Sequence, residues 1–326
     1  MMRNTFLLIL SILIALSSQA QQKVERDTSF AVYSTFIKTK KKYPDITIAD
    51  PATPAGIRIK KDVVFSKIGG RELMLDVFYP KKKQKQGYPA VLMIFGGGWR
   101  SGERSHNTPT AKLLADKGYV AVSADYRLST EATYPAAVYD LKTAVRWIRA
   151  NSTKYNIDTS KLATWGCSAG GQLAALLGTT NGDRKFEGSG EYQRFSSNIQ
   201  AIIDVDGTLA FIHPESGEGD DSKGKSAATW WFGYSKTEKP ELWHEAGPLN
   251  HLSPKTPPIL FINSSVDRMH AGRNDAIKKL DSWGIYSEVH TFPDAPHPFW
   301  LFNPWFQPTV NYTLNFLDRI FKNKIQ

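Results

Sequence analysis

Cysteine is almost missing from this chain, whose 326 residues include only Cys167. A disulfide bond within the chain needs two cysteines, so no internal bridge can form. The folded state therefore depends on its hydrophobic core. Hydrophobic residues make up 41% of the chain, and a chain of this length can bury a large core in one α/β domain or in two smaller ones.

Internal repeats, long low-complexity tracts and nucleic-acid-binding motifs are missing as well. The composition is typical of a globular protein and not of a fibrous or disordered one. Negative charge is in the minority, because 41 Lys and Arg outnumber 31 Asp and Glu and leave a net charge of +10. Short lysine runs carry much of this excess. They are typical of solvated loops and helix ends, and the alternative is an attraction to an acidic partner.

The N-terminus has the three parts of a secretory signal peptide. Arg3 is positively charged, residues 6–16 are apolar apart from one serine, and residues 18–20 (Ser-Gln-Ala) place small side chains before a cleavage site. The apolar run is short for a transmembrane helix, although an uncleaved membrane anchor is the alternative interpretation. We predict a signal peptide at residues 1–20, a periplasmic or secreted protein, and no stable membrane insertion after cleavage.

Beyond residue 60, apolar runs alternate with helical patterns. The predicted strands are 63–65, 72–80, 90–95, 120–124, 162–165, 199–205, 259–263 and 287–292. The predicted helices are 110–117, 136–150, 169–177, 275–283 and 310–321. This alternation favours a mostly parallel sheet with helices on both faces, to which the first two strands add an antiparallel hairpin. We therefore predict an α/β fold with a twisted eight-stranded sheet.

Two segments lie outside this alternation. Residues 21–59 are predicted to be an N-terminal extension, and residues 60–326 the main domain. Within that domain, residues 207–252 break the pattern with the acidic ESGEGDD and the aromatic-rich TWWFGY and PELWHEAGPL. Ligands of open α/β sheets bind outside the carboxyl ends of the strands. We predict that this insertion covers the carboxyl edge of the sheet, because long insertions more often have a function than none.

A nucleophile elbow is predicted at residues 166–170, which read G-C-S-A-G between a strand and a helix. The residues two before and two after the nucleophile must be very small, because the turn brings them against neighbouring backbone. With Ser168 at the centre both positions are glycine. With Cys167 at the centre one of them would be Trp165, which cannot make the turn. The pattern predicts Ser168 as nucleophile and Cys167 as a small buried neighbour.

A glycine triplet at residues 96–98 follows the third predicted strand. A serine hydrolase must stabilise the oxyanion of its tetrahedral intermediate with backbone N–H groups, each contributing about 3–4 kcal/mol. Glycine lets the backbone approach that closely. We predict an oxyanion hole built from the N–H groups of Gly97, Gly98 and Ala169.

The acid and the base are expected after the serine in the chain, in that order. Asp267 lies just past the strand at 259–263, and His297 lies past the last strand. We predict that His297 takes the Ser168 proton and that Asp267 orients the imidazole. The alternative acids are Asp204 and Asp206, which end a different strand.

With these residues in place, the chain resembles the α/β-hydrolase superfamily over about residues 60–322. It is most similar to carboxylesterases with a glycine-triplet oxyanion loop, related to hormone-sensitive lipase and to bacterial feruloyl- and acetyl-esterases. The matching segments are GGGWRSG (96–102), SADYRLS (123–129), YPAAVYDLKTAVRWIR (134–149) and DAPHPFWLFNPWF (294–306), the last resembling exported esterases of gut and soil bacteria. The family usually has histidine before the glycines, where this chain has Phe95.

The resemblance implies an exported serine esterase that hydrolyses acyl esters, above all acetyl esters, on plant cell-wall polysaccharides or oligosaccharides. It implies no metal or organic cofactor, and the sequence shows no metal-spaced His/Cys/Asp cluster. The positive charge favours an acidic substrate such as pectin. The predicted substrate-binding aromatics are Trp99, Trp230, Trp231 and Trp300. The alternatives are a feruloyl esterase, a general short-chain carboxylesterase, a serine peptidase and a non-catalytic carbohydrate-binding relative.

Overall fold

A computed structural model describes residues 27–322 and contains an eight-stranded sheet with the order β2-β3-β5-β4-β6-β7-β8-β9. The strands are β1 (Thr47–Ile48), β2 (Ile57–Ile68), β3 (Arg71–Pro80), β4 (Tyr88–Ile94), β5 (Val120–Ala124), β6 (Ile157–Cys167), β7 (Ala201–Val205), β8 (Ile259–Asn263), β9 (Ser287–Thr291) and β10 (Phe302–Asn303). Strands β5, β4 and β6 to β9 pair in parallel, whereas β3 pairs antiparallel with β2 and with β5. The predicted mostly parallel sheet is confirmed.

The helices flank this sheet. They are α1 (Val32–Lys40), α2 (Thr108–Asp116), α3 (Ala136–Ala150), α4 (Ser152–Tyr155), α5 (Ala169–Thr179), α6 (Ala227–Phe232), α7 (Pro240–Glu245), α8 (Arg273–Ser282) and α9 (Phe306–Phe321). Along β4, the side chains of Leu92 and Ile94 join a core cluster with α3 and α5, while Val91 and Met93 join a second cluster with α2 and α9. The strand is buried on both faces, which explains its continuous apolar sequence.

The two segments outside the alternation both pack on the domain. In the N-terminal extension, Phe36 of α1 contacts Phe302, and β1 pairs with β10. Residues 207–252 contain the short helices α6 and α7. The Cβ of Ala227, at the start of α6, lies against Gly98 of the glycine triplet. The insertion therefore reaches the loop at the carboxyl end of β4.

No helix within residues 27–322 is long and apolar enough to cross a membrane. The predicted signal peptide at residues 1–20 lies outside the described residues. Export of the protein stays a prediction.

Candidate active site

Ser168 occupies a strained turn between β6 and α5. Its φ of 55° and ψ of −125° are unfavourable for a residue with a side chain. Neighbouring glycines make the turn possible: a Cβ on Gly166 would lie 2.0 Å from the carbonyl oxygen of Gly170, and one on Gly170 would lie 2.2 Å from that of Ile94. Strain of this kind persists where the surrounding structure holds it. The small residues on both sides of Ser168 are thus required by direct backbone contacts.

Three side chains form a continuous hydrogen-bonded chain at this turn. Nε2 of His297 lies 2.8 Å from Oγ of Ser168, and Nδ1 of His297 lies 2.8 Å from Oδ2 of Asp206. The second carboxylate oxygen of Asp206 accepts a hydrogen bond from the backbone N–H of Ser264 at 2.8 Å. Asp206 is fully buried, so its carboxylate holds the imidazole in one orientation. A serine, a histidine and an acid in this arrangement can perform nucleophilic catalysis.

The acid that contacts His297 is Asp206, and the prediction of Asp267 is corrected. Asp267 begins a short 3-10 helix whose turn directs its side chain outward, where it is 98% exposed. Its carboxylate lies 3.8 Å from His270. Asp206 directly follows β7, and Asp267 follows the adjacent parallel strand β8. The carboxyl ends of both strands meet at one sheet edge, so side-chain direction decides between them.

Asp204, the other alternative acid, does not contact His297 among the described hydrogen bonds. Its Oδ1 accepts from the N–H of Gly207 at 2.8 Å, and a Cβ on Gly171 would lie only 2.4 Å from the same atom. Complete burial raises the pKa of the Asp204 carboxyl well above its usual value. Asp204 therefore packs between β7 and α5, away from the imidazole.

The predicted oxyanion donors lie on the loop after β4 and at the start of α5. Gly97 and Gly98 have φ values of 128° and 60°, which favour glycine. Within residues 27–322, the backbone N–H groups of Gly97, Gly98 and Ala169 donate to no backbone carbonyl. Backbone donors without a carbonyl partner are what an oxyanion hole requires, and the assignment of these three groups to one stays a prediction.

Phe95 lies where the resemblance predicts a histidine, and its contacts with Tyr126 anchor the loop. The ring of Phe95 is buried and stacks on Tyr126, with 4.5 Å between ring centroids. The Tyr126 hydroxyl donates a hydrogen bond to the carbonyl oxygen of Phe95 at 2.9 Å. Tyr126 was not singled out from the sequence, although it lies in the SADYRLS segment. This contact holds the start of the glycine triplet.

The predicted aromatic substrate surface is largely buried. Trp231 is completely buried and stacks on Trp99, and the Trp99 indole N–H donates a hydrogen bond to Gln172. Neither ring therefore offers a face on which a sugar could stack. The predictions of Trp99 and Trp231 as substrate-binding residues are corrected. Trp300 is 5% exposed and packs edge-on against His297. Trp230 is 42% exposed. In the run TWWFGY, Trp231 and Phe232 thus belong to the buried core, whereas Trp230 and Tyr234 are exposed.

Cys167 is completely buried beside Ser168. Burial, together with the negative charges of Asp204 and Asp206, raises the pKa of its thiol well above the usual value. Thiolate is the nucleophilic form of cysteine, so this residue is inert. The structure agrees with its assignment as a small buried neighbour.

Cys167→Ala is therefore expected to keep kcat within about threefold of the wild-type value. It removes one buried sulfur atom, which costs stability through a small cavity, about 1–2 kcal/mol. Esterase kinetics and a thermal melt check the two effects separately. Loss of activity in a variant that stays folded would contradict the assignment of Ser168 as nucleophile.

Within the described part of the chain, no group of three or more His, Cys, Asp and Glu side chains is placed to hold a metal ion.

Comparison with known proteins matches residues 75–273, more than half of the chain, to the BD-FAE family model. Esterase LipC of Mycobacterium tuberculosis is 30% identical over 203 residues, which are 60% of this chain and 48% of LipC. Esterase LipQ of the same organism is 25% identical and is matched over 71% of this chain and 55% of LipQ. The chain spans about half the length of these curated relatives.

Solved structures share the fold over most of the chain. A bifunctional GH43-CE protein of Bacteroides eggerthii has a TM-score of 0.69 and 26% identity, covering 80% of this chain and 35% of that one. Esterase 2 of Thermogutta terrifontis, solved phosphoramylated by tabun, has a TM-score of 0.67 and 25% identity, covering 85% of this chain and 98% of that one. These similarities confirm the predicted α/β-hydrolase fold.

Proposed function

Since this chain belongs to the BD-FAE family, we propose that it is a serine esterase with Ser168, His297 and Asp206 as its catalytic triad. The unbroken hydrogen-bond chain from Oγ of Ser168 through His297 to the buried Asp206 carries this proposal. Similarity to the esterases LipC and LipQ supports the reaction class. Esterase 2 of Thermogutta terrifontis, which is similar to this chain, is phosphoramylated by tabun, and this similarity supports a nucleophile that reacts with organophosphorus compounds.

The proposed reaction has two steps, acylation of Ser168 and hydrolysis of the acyl-enzyme. Nε2 of His297 takes the proton of Ser168 as Oγ attacks the ester carbonyl, and Asp206 stabilises the imidazolium that forms. The N–H groups of Gly97, Gly98 and Ala169 bind the oxyanion. His297 then donates the proton to the departing alcohol and leaves an acyl-enzyme. Water, deprotonated by His297, then attacks the acyl carbonyl. The bond to Oγ breaks, the carboxylic acid departs, and His297 returns the proton to Oγ of Ser168.

We further propose that the substrate is an ester-substituted carbohydrate of the plant cell wall and that the group removed is acetyl. The similarity to the GH43-CE protein of Bacteroides eggerthii supports a carbohydrate substrate. The signal-like residues 1–20 support action in the periplasm or outside the cell. The net charge of +10 favours an acidic polymer such as pectin.

Purified protein is expected to release acetate from acetylated pectin or acetylated xylan, and to release it faster than it releases ferulate from bran. Acetate and ferulate are measured in the same reactions, with Ser168→Ala as the blank. Faster release of ferulate would replace the acetyl assignment with a feruloyl one. Hydrolysis of 4-nitrophenyl acetate without release from any polymer would leave a general short-chain carboxylesterase.

A further inference from the structure

The carbonyl oxygen of Gly97 accepts three hydrogen bonds from the residues that follow the glycine triplet. The backbone N–H of Ser101 donates to it at 3.0 Å, the Ser101 hydroxyl at 3.1 Å, and the backbone N–H of Arg100 at 3.2 Å. Gly97 also packs directly on Ser101, because a Cβ on Gly97 would lie 2.3 Å from the carbonyl oxygen of Ser101. Ser101 is 3% exposed. Both its hydroxyl and its backbone N–H thus hold one carbonyl group.

The same peptide unit carries one of the predicted oxyanion donors. A trans peptide is planar, so the C=O of Gly97 and the N–H of Gly98 point in opposite directions. The hydrogen bonds that fix the carbonyl therefore also fix this N–H, which donates to no backbone carbonyl within residues 27–322. The triplet lies against the nucleophile, since a Cβ on Gly96 would lie 3.0 Å from the Cβ of Ser168.

The backbone around this peptide has conformations that are rarely populated. Gly97, Gly98 and Trp99 have φ values of 128°, 60° and 55° in succession, and the last of these is unfavourable for a residue with a side chain. Such conformations persist only where the surrounding structure holds them. Two adjacent glycines add freedom of rotation. The hydrogen bonds to the Gly97 carbonyl are therefore needed to keep the N–H of Gly98 in one direction.

The N-terminal extension holds the two residues that supply these hydrogen bonds. Asp27 forms an isolated parallel β-bridge with Ser101, and its Oδ2 accepts from Nε of Arg100 at 2.8 Å. The Arg100 guanidinium also lies 4.7 Å from the ring centroid of Trp230 in α6. Arg100 is thus fixed by the extension and by the insertion at the same time. These contacts connect Asp27 to the glycine triplet through two consecutive residues.

We propose that Ser101 is a positioning residue for the oxyanion hole and that Asp27 holds it in place. Ser101 fixes the Gly97–Gly98 peptide so that the N–H of Gly98 faces the oxyanion. Asp27 holds the backbone of Arg100 and Ser101 against that peptide. The proposal rests on the esterase function proposed above and deepens it. It gives the extension, which the sequence indicated only as a segment outside the main domain, a part in the reaction.

Ser101→Ala tests the hydroxyl, because it keeps the Cβ and removes one of the three donors. Acylation and hydrolysis of the acyl-enzyme each form an oxyanion, so both steps should slow together. We expect kcat for 4-nitrophenyl acetate to fall about tenfold and KM to stay within about twofold. The expected loss is smaller than the roughly 10²- to 10³-fold that follows removal of a whole oxyanion donor, because two backbone donors to Gly97 remain.

Ser105→Ala is the matched control on the same loop. The Ser105 hydroxyl donates to Glu103 and not to the triplet, so kcat should stay within about twofold. A thermal melt checks that both variants are folded. Unchanged kcat in Ser101→Ala would overturn the proposal.

Two ketones separate the oxyanion hole from the rest of the binding surface. Oγ of Ser168 adds to the carbonyl carbon of 1,1,1-trifluoroheptan-2-one, His297 takes the serine proton, and the carbonyl oxygen becomes an oxyanion. Heptan-2-one binds without this addition. Ser101→Ala is expected to raise Ki about tenfold for the trifluoroketone, which resembles the transition state, and by less than twofold for heptan-2-one. Equal weakening of both ketones would overturn the proposal.

Asp27→Ala is the second variant, and it lies outside the loop. We expect kcat to fall about threefold with KM unchanged, the scale of a partly exposed ion pair. Asp50→Ala removes another carboxylate of the extension, 3.5 Å from Nζ of Lys112, and should leave kcat unchanged. Equal kcat in these two variants would overturn the role of Asp27. If the wild-type protein neither cleaves 4-nitrophenyl acetate nor prefers the trifluoroketone, the proposed esterase function itself fails.

Discussion

Ser168→Ala lowers kcat for 4-nitrophenyl acetate by about 10⁴-fold or more, because it removes the only atom that can form the acyl-enzyme. A small residual rate over the uncatalysed reaction remains, since the oxyanion donors and the binding surface are unchanged. The strained backbone at position 168 accepts alanine no worse than serine, as both carry a Cβ. Stability should therefore change little.

An organophosphorus probe gives the second measurement for this variant. The wild-type protein is expected to gain one covalent adduct, located by peptide mass spectrometry on Ser168, and Ser168→Ala is expected to gain none. Cys167→Ala serves as the matched neighbour and should be labelled like the wild type. An adduct on a residue other than Ser168, or full activity in Ser168→Ala, would exclude the proposed mechanism.

Asp206→Asn is expected to lower kcat about 10³- to 10⁴-fold while the protein stays folded. The amide has nearly the same shape as the carboxylate, but it cannot stabilise the imidazolium, and it can donate where the carboxylate only accepts. His297 can then present the wrong tautomer to Ser168. The contact with the N–H of Ser264 can be kept by the amide oxygen, so the loss should fall on activity more than on stability.

Asp267→Asn is the matched comparison, with the same chemical change one strand away. Its carboxylate is 98% exposed and 3.8 Å from His270, so kcat should stay within about twofold of the wild-type value. Steady-state kinetics of the two variants, measured side by side, separate the two acids. The reverse result, with activity lost only in Asp267→Asn, would mean that the loop after β8 rearranges to bring Asp267 to His297.

Much of the fold could be predicted from the sequence because its signals are local. The alternation of apolar runs and helical patterns identified the order of the elements, and helix α3 has the bounds that its 3.6-residue periodicity predicts. The ends of β2 and β6 extend beyond the predicted ranges. Both strands continue into partly exposed residues, where pairing with a neighbour and not an apolar pattern maintains the strand.

The nucleophile elbow at residues 166–170 could also be predicted from the sequence. Its requirement for small residues comes from contacts within a short turn, so the six consecutive residues 165–170 are enough to choose Ser168 over Cys167. Asp206 was harder to identify from the sequence, because three acids lie near the same sheet edge: Asp204 lies near the end of β7, Asp206 follows β7, and Asp267 follows β8. Choosing between them needs the direction of each side chain, which depends on the turns after β7 and β8.

The sequence by itself determined the α/β architecture, the elbow and the glycine loop, since each depends on residues close together in the chain. The tertiary structure alone decided that Asp206 contacts His297 and that Trp99 and Trp231 are buried. These outcomes depend on contacts between segments far apart in sequence. Composition and periodicity describe how often a residue type is buried or paired, but only packing sets which particular side chain meets which partner.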